Sequence, residues 1–350
     1  MLFLKILLLI LSFSSCTLKS NLLSDQINLL EDKIDHMSFD SRPAIGLEAK
    51  WLYKTKHCLP YISGSTFRFF CDHIYDETNV EFNPDLIKPG DSIFIRLDFD
   101  RPDLFFDSHE KDPKHNIITK FFMLEHPKIK VPYILVTHHS DASAPAHFFN
   151  FLDDFKLIAW FGCNCDVISH EKFIPIPIGI PNYLASSLEL YSNSQKSALK
   201  VAKKYLVCLN FVVGSNIMER KKAYDSLCNY PWCKIFIDDL RNGYTYLPDY
   251  LINIAESKFV VSPHGIGLDC FRTWEALMMG AIPIVKTSTL DPLYKDLPVL
   301  IVDNWSDITE EFLNQQYELI NNKNYKLEKI YFKYWFNLLK NLQSKYRAKA

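Results

Sequence analysis

Short apolar runs separated by polar turns follow one another along most of the chain, and each run has the length of a buried β-strand. Segments with helical spacing lie between several runs, and strands that alternate with helices indicate parallel, doubly wound sheets. In the first half the predicted strands span 91–97, 133–137, 157–161 and 173–178, with a helix at 148–155. In the second half they span 205–211, 233–237, 259–262, 282–285 and 299–302.

A polar, lysine-rich stretch at 183–204 separates the two groups of strands and carries no strong apolar stripe. With 350 residues, the chain is long for one core and suits two, so we predict two Rossmann-like α/β domains. The predicted division is a leader at 1–20, an N-terminal domain at 21–195, a C-terminal domain at 196–305 and a helical tail at 306–350.

The helical tail combines an apolar stripe with many lysines. The stripe predicts packing on the protein body. The lysines would also suit an anionic membrane or glycan, although a solvated basic face needs no partner. The apolar positions of the stripe are Tyr325, Ile330, Tyr331, Tyr334, Trp335 and Leu338.

The first fifteen residues have one lysine, then a largely apolar run, then small polar residues. The run is shorter than the ~20 residues that cross a bilayer, so it predicts a secretory signal rather than a comfortable transmembrane helix. Residues 13–16 resemble a bacterial lipoprotein cleavage site with Cys16 as the lipidated residue, and a short type II anchor is the alternative. We therefore expect an exported or membrane-associated protein, in the Golgi or endoplasmic reticulum lumen if it is eukaryotic.

Composition narrows the class of protein. Hydrophobic residues make up 48% and aromatic residues 14%, which indicates a globular chain. A formal net charge of -2 gives no global reason to bind nucleic acid.

The nine cysteines leave two alternatives open. Without Cys16 an even number remains, which permits disulfides such as Cys58–Cys71 or Cys228–Cys233 in an oxidising compartment. Buried free thiols are the simpler expectation. A zinc site is disfavoured because no Cys-x-x-Cys pair occurs.

The segment 257–285 carries the clearest candidate site, because it predicts a compact strand–helix–strand unit with a glycine-bearing turn. Gly265 and Gly267 let the backbone approach a ligand, and the N–H groups that open the next helix favour an anion. Arg272 adds a cation in the first helical turn, and Glu275 lies on the same face, where it could accept hydrogen bonds from a ribose.

A structural interpretation of the same segment remains open. Cys270 stands where a third motif glycine would be, and a strand–helix–strand unit with a salt-bridged Arg and Glu is common in proteins.

The segment, continued to residue 305, resembles the donor-binding region of exostosin-like glycosyltransferases, a branch of the GT-B enzymes. Residues 209–220 resemble the first strand and loop of the same domain, and three stretches at 136–141, 160–165 and 174–182 resemble the N-terminal domain. The resemblance spans roughly residues 90 to 310 in the same order. It implies two Rossmann-like domains that face a central cleft, with a nucleotide sugar between them and inversion at the anomeric carbon.

The resemblance assigns the donor site to the second domain. Arg272 would neutralise the departing diphosphate and Glu275 would bind ribose, while Arg220 is a second phosphate candidate. His264 and Asn210 complete the donor set. Two arginines with helix N–H groups could replace a metal ion, so we predict no essential divalent cation and no cofactor besides the nucleotide sugar.

Transfer requires a base from the first domain to deprotonate the acceptor hydroxyl. Asp141 and His139 follow a predicted strand, where cleft residues belong, although a turn-capping Asp and a packed His are ordinary alternatives. Asp98 and Asp100 match the Asp-x-Asp pattern of metal-dependent GT-A enzymes, but they lie in an acidic loop that suits a solvated turn better.

These observations together predict a glycosyltransferase that moves a sugar from a nucleoside-diphosphate sugar to a glycan or glycolipid hydroxyl, with the membrane reached through the N-terminus. Two alternatives stay open: an inactive glycan-binding protein on the same fold, and another GT-B-like transferase such as a pyruvyl transferase.

Overall fold

The computed structural model of the protein describes residues 59–76, 82–97, 117–181, 188–198, 200–237, 240 and 245–349. The predicted export signal with Cys16, the possible disulfide partner Cys58 and the motif at Asp98 and Asp100 lie outside the described residues.

The first sheet has five parallel strands. Its middle strand is buried at every position and is apolar over its first four residues, as is typical of parallel sheets with both faces covered. The strands are β1 His73–Tyr75, β2 Ser92–Arg96, β3 Tyr133–His138, β4 Leu157–Gly162 and β5 Phe173–Pro175. All four strands predicted here are present, and β1 escaped prediction because three residues give no periodicity.

The described strands of the first sheet lie in chain order, β1-β2-β3-β4-β5. The prediction of a doubly wound arrangement is therefore wrong for these strands, because their order never reverses. Polar turns between apolar runs indicate where strands lie along the chain but not which neighbour each strand joins. The accompanying helices are α1 Gly64–Phe69 and α2 Ile117–Lys120, a π-helical turn at Phe121–Glu125 and a 3-10 segment at Ala146–Asp153.

The second sheet also has five parallel strands, in the order β10-β9-β8-β6-β7. Its order reverses between β6 and β8, which makes this sheet doubly wound as predicted. The strands are β6 Tyr205–Leu209, β7 Cys233–Ile235, β8 Ser257–Val261, β9 Ile282–Lys286 and β10 Leu300–Val302. The helices around it are α4 Ile217–Leu227, α5 Leu247–Ala255, α6 Phe271–Met278, α7 Asp291–Tyr294 and α8 Glu310–Asn321.

A helix, α3 Leu188–Ala198, lies between the sheets in the chain and spans the boundary predicted at 195/196. Two of its side chains make buried polar contacts. The Tyr191 hydroxyl donates to Glu275 Oε1 at 2.5 Å, and Gln195 Nε2 donates to the Tyr331 hydroxyl at 3.1 Å. These anchors are polar, in keeping with the absence of a strong apolar stripe from this segment.

The C-terminal helix, α9 Phe332–Arg347, returns to the first half of the chain. Trp335 packs on Phe67 of α1, with ring centroids 6.1 Å apart. At the far end Gln343 Nε2 donates to Asp72 Oδ2 at 2.6 Å. The predicted packing of the tail on the protein body is therefore confirmed, and these contacts lie in the first half of the chain.

The seven cysteines within the described residues are free thiols, and all but Cys228 are buried. The expectation of buried free thiols is confirmed for them, and the Cys228–Cys233 disulfide is not formed. Within the described part of the chain, no helix is both long and apolar enough to cross a membrane.

Candidate functional site

The carboxyl ends of the two sheets meet in space. Asn164, just after β4, accepts a hydrogen bond at its Oδ1 from the Asp269 N–H at 2.8 Å. Ile178, after β5, donates its N–H to Asp269 Oδ2 at 2.7 Å. Thr289, after β9, donates its hydroxyl to the Cys165 carbonyl. Loops that follow the strands of both sheets therefore form one site, where open parallel sheets place their ligands.

Three buried polar atoms near the β6/β8 reversal have no hydrogen-bond partner: Asn210 Nδ2, Ser215 Oγ and Arg272 Nη1. Asn210 follows β6, Ser215 lies in the next loop, and Arg272 is in the first turn of α6. A buried donor left without a partner costs about 1–3 kcal/mol. Each of these groups can donate a hydrogen bond, so together they suit an acceptor-rich ligand such as a phosphate.

Two guanidinium groups lie at the same place. Arg272 Nε donates to the Asn210 carbonyl at 3.0 Å, and Arg220 Nε donates to the His264 carbonyl at 3.2 Å. Among the described residues no carboxylate forms an ion pair with either arginine. Burial, and secondarily the charge of Arg272, lowers the pKa of Arg220. Two neighbouring cations that have no carboxylate in direct ion-pair contact among the described residues make a site that a bound anion would complete.

The glycine loop brings its backbone close to these groups. A Cβ added to Gly265 would lie 2.9 Å from Arg220 Nη2 and 3.3 Å from Ser215 Oγ, so a side chain there would press on the site. Asn216 holds the loop in place, because its Nδ2 donates to the Gly265 carbonyl at 3.0 Å while its Oδ1 caps α4 by accepting from the Glu219 N–H.

One opening amide of α6 is already used. The Cys270 N–H donates to Asp269 Oδ1 at 2.9 Å, so this group faces a carboxylate and not open space. The positive character of the site therefore comes from the two arginines and the orphaned donors more than from this end of the helix.

His264 lines a small cavity beside the arginine site. The cavity, of about 180 Å³, lies between the ends of β8 and β9 and is lined mainly by hydroxyl-bearing side chains. The His264 Nδ1 lies 3.2 Å from Asn216 Nδ2. The polar lining includes Ser262, Thr273, Lys286, Thr287, Ser288 and Tyr294.

Asp141 reaches the site from the first sheet. It is half-buried in the loop after β3. Burial raises the pKa of its carboxyl group, and the charge of Arg220 lowers that pKa in part. The two side chains are thus within electrostatic reach of each other, which brings one of the predicted base residues to the predicted phosphate residues.

His139 lies in different surroundings. Its backbone has a φ of 69°, and its ring packs edge-on against Phe94 at 5.3 Å. Burial, together with the charges of His138 and Arg68, lowers the pKa of His139 to about 3. The ring also abuts Gly64 at the start of α1, where an added Cβ would lie 2.7 Å from His139 Nε2.

The neighbouring His138 is a structural residue. Its Nδ1 accepts from the His139 N–H at 2.7 Å, which leaves Nε2 to donate to the Pro177 carbonyl at 3.0 Å. These two bonds define a neutral tautomer, and burial lowers the pKa of the ring to about 4.

Glu275 lies in the interior behind the site. Its Oε1 accepts from the Tyr191 hydroxyl at 2.5 Å and its Oε2 from the Tyr250 hydroxyl at 2.7 Å. Burial raises the pKa of the carboxyl group. Both oxygens are therefore engaged by tyrosines of α3 and α5, and a bond to a ribose would have to replace one of them.

Sequence reasoning missed the residues that join the two sheets. Asp269 is buried and accepts from Ile178, Cys270 and the Trp274 indole; burial raises its pKa to about 6. Asn164 stands between two cysteines in the stretch 160–165, whose resemblance gave this residue no role, so only the three-dimensional contact identifies it. Ser215 and Asn216, by contrast, form a polar pair between a strand and a helix, which is a signal for a helix cap.

Comparison of the chain with models of known protein families finds no match, and comparison with curated proteins finds no significantly similar sequence. Within the described residues, no group of three or more His, Cys, Asp or Glu side chains has an arrangement that could hold a metal ion.

Proposed function

We propose that this protein is a glycosyltransferase with GT-B architecture, in which the second sheet binds a nucleoside-diphosphate sugar and the first sheet supplies the base. The sugar is transferred to a hydroxyl of a glycan or glycolipid with inversion at the anomeric carbon. The reaction needs no divalent cation.

The observation that supports this proposal best is the cluster of unsatisfied donors at the β6/β8 reversal. Asn210 Nδ2, Ser215 Oγ and Arg272 Nη1 are buried without partners, beside two arginines that have no carboxylate ion pair among the described residues. A diphosphate offers both the acceptors and the negative charge that these groups lack. Charge-assisted hydrogen bonds of this kind contribute about 1.5–3 kcal/mol each.

The chemistry assigns a task to each side of the site. Asp141 takes the proton of the acceptor hydroxyl, and the resulting oxygen attacks the anomeric carbon. The bond from that carbon to the diphosphate breaks, and the diphosphate leaves with the electron pair. Arg272 and Arg220 stabilise this growing negative charge, which is the role that a metal ion has in other transferases. The raised pKa of Asp141 suits a general base near neutral pH.

Of the two base candidates, the surroundings favour Asp141. His139 has a pKa of about 3 and packs between Phe94 and Gly64, so it is a weak base in an enclosed position. Its backbone N–H donates to His138 Nδ1 at 2.7 Å, at the start of the loop that carries Asp141. The ribose role predicted for Glu275 requires Tyr191 or Tyr250 to release its hydrogen bond when the nucleotide binds.

The proposal is tested by thermal shift with the full chain in EDTA, against a panel of nucleoside diphosphates and nucleotide sugars. A ligand at ~100 times its dissociation constant stabilises the fold by about 2.7 kcal/mol. We expect one nucleotide to raise the melting temperature of the wild type and of R347A. The same nucleotide should leave the melting temperature of R272A unchanged. Arg347 is the matched control because it is an arginine on α9 that already has a carboxylate partner, Asp91, at 2.7 Å.

A second measurement distinguishes a transferase from a binding protein with the same fold. The nucleotide sugar that gives the shift should release its nucleoside diphosphate when acceptor glycans are added, and D141N should bind the nucleotide without this release. No shift with any nucleotide on folded protein contradicts the proposal and favours the glycan-binding alternative. A shift caused by a nucleotide sugar without release, over a broad acceptor panel, also favours that alternative.

A further inference from the structure

We propose that Asn164 is a positioning residue, whose single side-chain amide fixes the Asp141 loop of the first sheet against the glycine loop of the second. In catalytic terms this inference rests on the proposed function. The mechanical link itself, between two loops of different sheets, can be measured without any turnover.

The amide of Asn164 is fully buried and uses both of its ends. Its Nδ2 donates to the Ser140 carbonyl at 3.1 Å, one residue before Asp141. Its Oδ1 accepts from the Asp269 N–H at 2.8 Å, where the glycine loop turns into α6. One planar group therefore sets the separation between the loop of the base and the loop that carries Gly265 and Gly267.

The surroundings leave this amide little freedom. A Cβ on Gly267 would lie 2.9 Å from Asn164 Nδ2 and 3.0 Å from its Oδ1, so the glycine backbone packs directly on the amide. The main chain of Asn164 has a φ of 52°, a conformation that Asn accepts better than most residues. The Asn164 carbonyl accepts from the Ala144 N–H at 3.2 Å, which anchors the residue to the end of the same loop.

Other contacts across the site do not reach the base. Ile178 donates a hydrogen bond to Asp269, and Thr289 donates one to the Cys165 carbonyl. Neither of these two hydrogen bonds involves residues 139–141. Asn164, by contrast, bonds both to Ser140 in the loop of the base and to Asp269 in the glycine loop. Displacement of a catalytic group by about 1 Å can cost roughly a hundredfold in rate, so a linker of this kind affects kcat more than donor affinity.

Two substitutions separate the parts of the link. N164D keeps the shape and the oxygen that accepts from Asp269, but it places an oxygen where Nδ2 donates to Ser140. N164G removes the whole amide and tolerates the positive φ. D296G is the matched control, because Asp296 also has a positive φ, of 66°, and is exposed.

The experiment combines hydrogen–deuterium exchange with binding and kinetics, on the full chain with UDP and GDP as probes. In N164G the amides of residues 139–142 and 266–269 should exchange faster by about tenfold or more, and D296G should not change them. In N164D the dissociation constant of the bound nucleotide should stay within about threefold of the wild type, while kcat falls by at least about tenfold. If N164G does not fold, N164D carries both measurements.

Unchanged exchange at residues 139–142 in folded N164G or N164D overturns the inference. A loss of nucleotide affinity as large as the loss of kcat overturns it as well, because Asn164 would then belong to the donor site itself. If the wild type binds none of the nucleoside diphosphates and nucleotide sugars of the panel, the proposed function fails, and the exchange measurement still decides whether Asn164 joins the two loops.

Discussion

Replacing Ser215 by alanine tests the meaning of the orphaned donors, because the substitution should affect stability and binding in opposite directions. The Ser215 hydroxyl is buried with no hydrogen-bond partner, so the free protein bears a desolvation cost of about 1–3 kcal/mol. S215A removes that polar atom and little packing. We therefore expect the ligand-free variant to be as stable as the wild type or up to about 1 kcal/mol more stable.

The bound state should show the reverse. If the hydroxyl donates to a diphosphate, its loss removes one hydrogen bond to a charged group, worth about 1.5–3 kcal/mol. The stabilisation that pyrophosphate or a nucleoside diphosphate gives to S215A should fall accordingly. Urea denaturation with and without ligand measures both quantities from the shift of the transition midpoint.

Ser262 provides a control, because its replacement by alanine should lower the stability of the ligand-free protein. Its hydroxyl is buried and lies 2.9 Å from the Thr273 hydroxyl, so it is satisfied within the protein. S262A should lose about 0.5–1.5 kcal/mol without ligand. If S215A destabilises the free protein as much as S262A does, and binds pyrophosphate like the wild type, then the unsatisfied hydroxyl is not part of an anion site.

Three further predictions follow from other contacts. Burial raises the pKa of Asp269 to about 6 from a usual 3.8, so the folded state binds the proton of this carboxyl group more tightly than the unfolded state does. The resulting stabilisation is complete below about pH 4, and about 3 kcal/mol of it is lost as the pH rises through 6. The unfolding free energies of the wild type and D269N, measured by urea titration across this range, should therefore change differently with pH, and equal changes would contradict the prediction. D141N should reduce kcat by roughly 10²–10⁴ with nucleotide affinity retained, measured by product release and calorimetry, and an unchanged kcat would exclude Asp141 as the base. G64A should lower the unfolding free energy by about 1–3 kcal/mol, because its Cβ would lie 2.6 Å from His138 Nδ1 and 2.7 Å from His139 Nε2, and a midpoint equal to that of the wild type would refute this steric argument.

The strands could be predicted from the sequence because burial on both faces of a parallel sheet leaves a signal in consecutive residues. Tyr133–His138 is buried throughout, and its first four residues form one apolar run. Strand order leaves no such signal, which is why a reversal was expected in the first sheet although the order of its described strands does not reverse. The reversal of the second sheet matches the prediction, and it lies beside the glycine loop that the sequence singled out.

The candidate site was predictable as far as its residues lie in one segment. Spacing alone places Arg272 and Glu275 on one face of α6, but it does not reveal that Tyr191 and Tyr250, from two other helices, occupy both oxygens of Glu275. The role of Asn164 depends on its contacts with Ser140 and with Asp269, which lies 105 positions away in the chain, and no local pattern marks such a contact.

The decisive experiment is a calorimetric titration, with EDTA present, of the full chain with the nucleoside diphosphate that is released from the donor sugar. The account predicts a single site in the wild type and in R347A, and an affinity reduced by about ten- to a hundredfold in R272Q, since a charge-assisted bond to phosphate is lost. Equal affinities for the wild type and R272Q, or binding that is seen only in a titration without EDTA, would contradict an arginine-built diphosphate site between the two sheets.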